Sequence, residues 1–265
     1  MNRILKETVT PPAKEIIGNQ NTSLLKILAL VSMIIDHMGA MIFVGREEFR
    51  IVGRLAFPLY AWCMVVGCVK TRSMPRYILR TFLLALVCQP LYMLALGHRW
   101  QDLSILFLLT LALLAIWSIQ SRKWFSHIWG PILCYLVFGF LHIDGGWISL
   151  SFVLMLYLLR NNRRGLVIAY LAFAMYWGAP SDELAQLFGM PLSFLQWPGI
   201  GRALAPFFHR QSMMWMALPL IVWPMGTRWR MPHWLSYAMY PMHLVLIVLM
   251  RLYVGTPLSE LTRLF

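Results

Sequence analysis

Between Leu25 and Val254 the sequence is a succession of long apolar runs, separated by polar breaks too short to form a domain of their own. A helix needs about 20 apolar residues to cross about 30 Å of hydrocarbon. In lipid its backbone polar groups must also be satisfied within the segment. The pattern therefore restricts the chain to an all-α, polytopic membrane helix bundle. About ten transmembrane helices are expected, with eight to ten as the range, at roughly 25–44, 50–69, 78–97, 103–120, 125–141, 145–160, 165–180, 184–200, 211–226 and 233–254. The run at 184–200 is the weakest. It holds Gly189, Pro191, Pro198 and Gly199, which suit a re-entrant or interfacial piece as well as a span.

Three segments follow from this reading: a polar cytoplasmic tail at 1–24, the multi-span domain at 25–254, and a short C-terminal tail at 255–265. The first tail has no apolar core of the kind that marks a signal peptide. A water-soluble fold is excluded by composition, since 60% of residues are hydrophobic and 12% charged, against about 45–50% and about 25% in soluble domains. Cys63, Cys68, Cys88 and Cys134 all lie in apolar runs without CxxC spacing, so they read as small buried residues and no metal site is expected.

The net charge of +13 would suggest nucleic acid in a soluble protein. Here the short cytoplasmic loops of a bacterial inner-membrane protein account for it, because such loops collect Lys and Arg. Placing the N-terminus inside puts Arg3, Lys6, Lys14, Lys26, Lys70, Arg72, Arg76, Arg80, Arg122, Lys123, Arg160, Arg163 and Arg164 on the cytoplasmic side. Ten spans would add Arg202, Arg210, Arg251 and Arg263 to that side and leave Arg46, Arg50, Arg99, Arg228 and Arg230 outside, an N-in, C-in arrangement.

Ionisable residues inside a span cost about 2.5–3.5 kcal/mol each on insertion scales, so they are candidates for function. Asp36 and His37 sit in the middle of the first run. Neighbours diverge by about 100° on a helix, so both can touch one cavity without stacking. Arg50 and Arg54 lie four apart on one face of the second span. Arg50, at its edge, reads as a snorkelling side chain. Arg54 lies deeper and calls for Asp36 or an anionic ligand as its partner.

Arg72, Arg76 and Arg80 form a basic rim at the start of the third span, either ordinary loop charge or a seat for phosphates. Gln89-Pro90 is expected to interrupt that span and free a carbonyl, and Pro241 to break the last span and aim His243 inward. A histidine there suits a general base. His142 and Asp144, before Gly145-Gly146, read as turn chemistry. No HExxH, GxSxG or P-loop is present. Nor is there an internal repeat of the kind seen in many transporters.

Four blocks in order, Lys26-Ile-Leu-Ala…Asp36-His37-Met-Gly39, Arg50-Ile-Val-Gly53-Arg54-Leu-Ala-Phe57-Pro58, Arg80…Gln89-Pro90 and Tyr240-Pro241-Met-His243-Leu244, resemble the TraX family. The chain departs from that pattern at Ser104, where asparagine is expected, and at Ser149, where glycine is expected.

The family is associated with F-type conjugative pili. The resemblance implies an N-acetyltransferase that moves an acetyl group from acetyl-CoA to the N-terminal amine of the pilin subunit. On that expectation His37 or His243 is the base, Asp36 and Arg54 hold charge beside it, and Arg72, Arg76 and Arg80 meet the CoA phosphates. Three other functions stay open: an acyltransferase for a sugar or lipid acceptor, a transporter or proton relay, and a structural pilus-assembly subunit, which would tolerate loss of both histidines.

Overall fold

The fold is seen in a computed structural model that describes residues 16–43, 45–226, 231–253 and 255. The basic residues Arg3, Lys6, Lys14, Arg228, Arg230 and Arg263 lie outside the described residues, as do most of both expected tails.

Helix α1 (Thr22–Met41) starts at Asn21, whose side chain accepts from the Leu24 N–H. Helices α2 (Glu47–Gly53) and α3 (Ala56–Lys70) make one bent crossing. The bend has a simple cause, because Pro58 has no N–H to give the carbonyl of Arg54 and the helical ladder restarts there. Helix α4 (Met74–Leu96) ends on Gly97, whose φ of 74° supplies a left-handed C-cap. Helices α5 (Ile105–Ser121), α6 (Ser126–Val137), α7 (Gly146–Leu159) and α8 (Arg163–Gly178) follow in short-looped succession. Before the last helix come two short ones, α9 (Ile200–Leu204) and α10 (Leu218–Val222). Helix α11 (His233–Tyr253) completes the bundle.

Neither proline breaks its helix, since α4 continues through Pro90 and α11 through Pro241. Each still leaves the carbonyl four residues before it without its N–H partner, and His243 faces inward as expected. Gln89 instead acts through its side chain. Its Nε2 donates to the Asp102 carbonyl at 2.8 Å, and its Oε1 accepts from the Ser104 N–H at 3.0 Å. That clamp holds strand β1 (Asp102–Leu103) where it pairs in parallel with β2 (His142–Ile143).

The ten-span expectation is met only in part. Four segments among the described residues are long and apolar enough to cross a membrane: Thr22–Ala40, Glu47–Lys70, Met74–Leu96 and Trp234–Tyr253. Other apolar helices are shorter, such as the 17 residues of α5 and the 14 of α7. Residues 184–200 form no spanning helix. They make an antiparallel hairpin, β3 (Gln186–Leu187) with β4 (Met190–Pro191), followed by a 3₁₀ turn at Ser193–Gln196. The four Gly and Pro residues named above deny it a continuous ladder. Its apolar side chains Leu184 and Leu192 bury against Ile51 and Met213.

The helix directions also correct the expected position of Arg251. At one face, called near, the Met231 N–H donates to Ser23 Oγ at 2.9 Å and the Asn19 N–H to the Ile221 carbonyl at 2.7 Å. At the opposite, far face, Arg251 Nη1 donates to the carbonyls of Leu94 and Ala95 at 3.1 and 3.3 Å. Helices α1, α4 and α11 therefore run parallel, and Arg251 lies at the end opposite the start of α1. With no crossing at 184–200, the C-in arrangement is lost. Reporters fused before Met1 and after Phe265 are expected in opposite compartments; finding both in one would refute the parallel arrangement.

The packed interior centres on α3, with Trp62, Phe152 and Tyr170 fully enclosed. All four cysteines are buried and free. Exposed apolar side chains line the outer faces of α4 (Leu83, Val87), α6 (Trp129, Leu133) and α11 (Val245, Leu249), as a lipid solvent requires.

Candidate functional site

Helices α1 and α2 approach so closely that two glycines become obligatory. A Cβ on Gly39 would collide with Phe49, and one on Gly53 with the Asp36 carboxylate. This contact turns the α2 arginines onto Asp36. Arg50 Nη1 bonds Asp36 Oδ2 at 2.8 Å and the Asp36 carbonyl at 3.2 Å. Arg54 Nη2 bonds Asp36 Oδ1 at 3.1 Å. Arg50 is thus a structural partner of Asp36, where the sequence pattern suggested a snorkelling side chain. Arg54 also donates from Nη1 to Gln211 Oε1 at 2.7 Å and from Nε to the Arg50 carbonyl at 3.2 Å. All three of its nitrogens are engaged. It holds Asp36 in place while lining the cavity, with three of its five N–H donors in these bonds.

His37 Nδ1 stands 3.8 Å from Asp36 Oδ2. Across from it is His243 on α11, with ring centroids 5.9 Å apart. His243 is 2% exposed and its Nδ1 has no hydrogen-bond partner among the described residues. Tyr240 packs edge-on against its ring at 4.7 Å.

These groups line one cavity of about 610 Å³. Its near end is walled by Lys26, Tyr77, Ser236 and Tyr237, and its far end by Arg50, His98, Asp144 and Gln211. Glu47 and Asp182 brace the far end through Arg210, at 2.8 and 2.9 Å. Asp144 sits on the loop after β2, and its N–H donates to the Leu103 carbonyl at 2.9 Å. Burial pushes its carboxyl above the ordinary carboxylate range, against the opposing pull of His98.

The four expected site residues Asp36, His37, Arg54 and His243 are brought together. Arg72, Arg76 and Arg80 are not among them. They are exposed at the near end of α4 and do not line the cavity. Arg76 and Arg80 each precede a residue that does, Tyr77 and Thr81, and are turned from it by about 100°.

Sequence reasoning gave no site role to Lys26, read as a loop charge, to Asp144, read as turn chemistry, or to Gln211 and the tyrosines. Spacing carried a signal for several of them. Lys26, Met33, His37 and Ala40 share one face of α1, as Tyr77, Thr81 and Leu84 share one of α4. Lys26 has no ion-pair partner among the described residues.

Four helices long and apolar enough to cross a membrane, packed around a charged, histidine-bearing cavity, mark a membrane-associated helical bundle with an internal polar site. The chain belongs to the TraX family, whose model matches residues 21–251. It is also similar to a protein of Dichelobacter nodosus named "Probable fimbrial assembly protein FimC, serogroup H1". That relative is 29% identical over 243 residues, covering 84% of this chain and 92% of its own length. No solved structure matches the chain.

Proposed function

We propose that the protein is an inner-membrane acetyltransferase that acetylates the N-terminal amine of a pilus subunit, with acetyl-CoA as donor. The observation that carries this reading is the pairing of His37 with His243 across a cavity walled at both ends by polar groups. The fimbrial role in the name of the Dichelobacter nodosus relative supports a pilus subunit as acceptor. The clustering of Lys26, Lys70, Arg76, Arg80, Arg160 and Arg163 toward the near face supports a cytoplasmic near face.

The residues suit the donor at that end. Lys26 is a cation in the wall without an ion-pair partner among the described residues, with the hydroxyl-bearing Tyr77, Ser236 and Tyr237 lining the same end. Arg72, Arg76 and Arg80, outside the cavity at the same end, suit phosphates left at the surface. Acetyl-CoA supplies an acetyl group activated as a thioester.

An α-amine has a pKa of about 7.7–8.0 and is mostly protonated at neutral pH, so its attack needs a base. The ammonium first loses one proton through His37 to solvent. The free amine then attacks, and His37 takes its second proton as the C–N bond forms and passes it to the sulfur as the C–S bond breaks. His243 donates to the oxygen on which charge develops. Asp36, fixed by Arg50 and Arg54, sets the charge beside His37.

The test is the intact mass of the pilin from cells with and without the gene. Loss of one acetyl group at the pilin N-terminus is expected, and an unchanged mass refutes the acceptor. His37→Ala is expected to slow acetylation by about 10²–10⁴-fold at normal membrane levels of the protein. If His37→Ala and His243→Ala both keep full activity, the base assignment is wrong.

A further inference from the structure

Two carboxylates line the cavity, and they are in opposite electrostatic situations. Asp36 is saturated, with one oxygen on Arg50 at 2.8 Å and the other on Arg54 at 3.1 Å. Asp144 has neither an arginine nor a lysine partner among the described residues. It accepts hydrogen bonds from the Tyr92 hydroxyl and the Gly145 N–H, and its charge-bearing neighbours are His98 and His37. Other acidic groups at the far face are already occupied. Glu47 and Asp182 are held by Arg210, while Asp102 stands 3.8 Å from His98 and accepts from the Arg99 N–H at 3.0 Å.

We infer that Asp144 is the seat of the acceptor's ammonium group, so that the acceptor is a primary amine entering as a cation from the far face. The inference rests on the acyl-transfer reading above and adds to it the residue that holds the amine acceptor and the face from which it enters.

Three features of the structure support this. The carboxylate is rigidly placed: β1 and β2 pair on one side of it, the Leu103 carbonyl holds its N–H, and Gly145 follows with a φ of 81°. It opens into the same cavity as His37, so an ammonium on Asp144 stands on the side of the group that must take its proton. Its end of the cavity is opposite Lys26, which separates a cationic acceptor from an anionic donor by the length of the site. Burial outweighs the hydrogen bonds that Tyr92 and the Gly145 N–H give this carboxylate, and a bound cation relieves the remaining cost.

The test uses the purified full-length protein, acetyl-CoA and a synthetic peptide bearing the first residues of the mature pilin. Asp144→Asn is expected to raise the KM for the peptide about tenfold or more, with kcat and the KM for acetyl-CoA held within about twofold. Asp144→Glu is expected to restore most of the affinity. The wild-type protein provides a second measurement that needs no variant. A peptide with its N-terminal amine trimethylated, charged but unreactive, is expected to inhibit about tenfold more strongly than one whose amine is replaced by hydrogen.

An unchanged peptide KM in Asp144→Asn, or equal inhibition by the two peptides, overturns the seat and leaves the acetyltransferase reading intact. A wild-type protein that acetylates no amine while consuming acetyl-CoA with a hydroxyl acceptor overturns the seat and the pilin reading together.

Discussion

Asp36→Asn is expected to abolish acetylation and to cost the folded protein about 3 kcal/mol, the lower end of the range for removing one partner of a buried ion pair. The lower end applies because the cavity admits water to the pair. The cost arises from what the substitution leaves behind, two guanidinium groups a helical turn apart that had shared a single carboxylate at 2.8 and 3.1 Å. Removing one of those charges as well should recover stability without activity. Asp36→Asn with Arg50→Gln is expected to unfold in detergent at a higher temperature than Asp36→Asn alone, while still failing to acetylate. A double variant no more stable than the single one would mean that the arginines are not held by Asp36.

Gly53→Val is expected to do the same damage from the opposite helix. The Cβ at position 53 would occupy the space of the Asp36 carboxyl, so either α2 moves away or Asp36 turns out of its arginine clamp. Overpacking a close helix contact costs about 1–3 kcal/mol, and here it falls on the residue that orients His37. Gly53→Ala already meets the contact, and Gly39→Ala meets a similar one at Phe49. Acetylation is expected to fall below one-tenth of wild type for either alanine, and to be undetectable for the valine. Full activity in Gly53→Ala would show that α1 and α2 tolerate a wider separation than the structure gives them.

The legible parts of the site were those that violate the solvent. Asp36, His37, Arg54 and His243 stand out in apolar runs because a polar group there needs a partner, and the structure supplies each with company in one cavity. Arg50 was not legible in the same way. At the edge of a run it satisfies the rule for snorkelling, and its bond to Asp36 depends on a helix approach set by Gly39 and Gly53, which no single-helix pattern contains. Lys26 has the spacing of a cavity-facing residue, but it also has the location of an ordinary loop charge.

Among the elements, the long helices follow directly from apolar length. The piece at 184–200 does not, because hydropathy cannot tell a span from an apolar hairpin buried against Ile51 and Met213. Its loss as a crossing then reverses everything after it, so one local ambiguity moved Arg251 to the other face. Asp144 looked like turn chemistry, and it is on a turn. That the turn closes the far end of a cavity is a property of the β1–β2 pairing across 39 residues of chain, Leu103 with Ile143 among them.

The parallel course of α1 and α11 bears on how such a chain can evolve. A protein whose ends emerge on the same side can be duplicated in tandem, each copy entering the membrane the same way up. Here the last helix finishes at the face opposite to the start of the first, marked by Arg251 on the carbonyls of Leu94 and Ala95. A second copy joined directly behind the first would be threaded upside down, with its His37 and His243 addressed from the wrong compartment. Gene fusion in this architecture therefore requires an extra membrane crossing as linker, or else produces an inverted repeat.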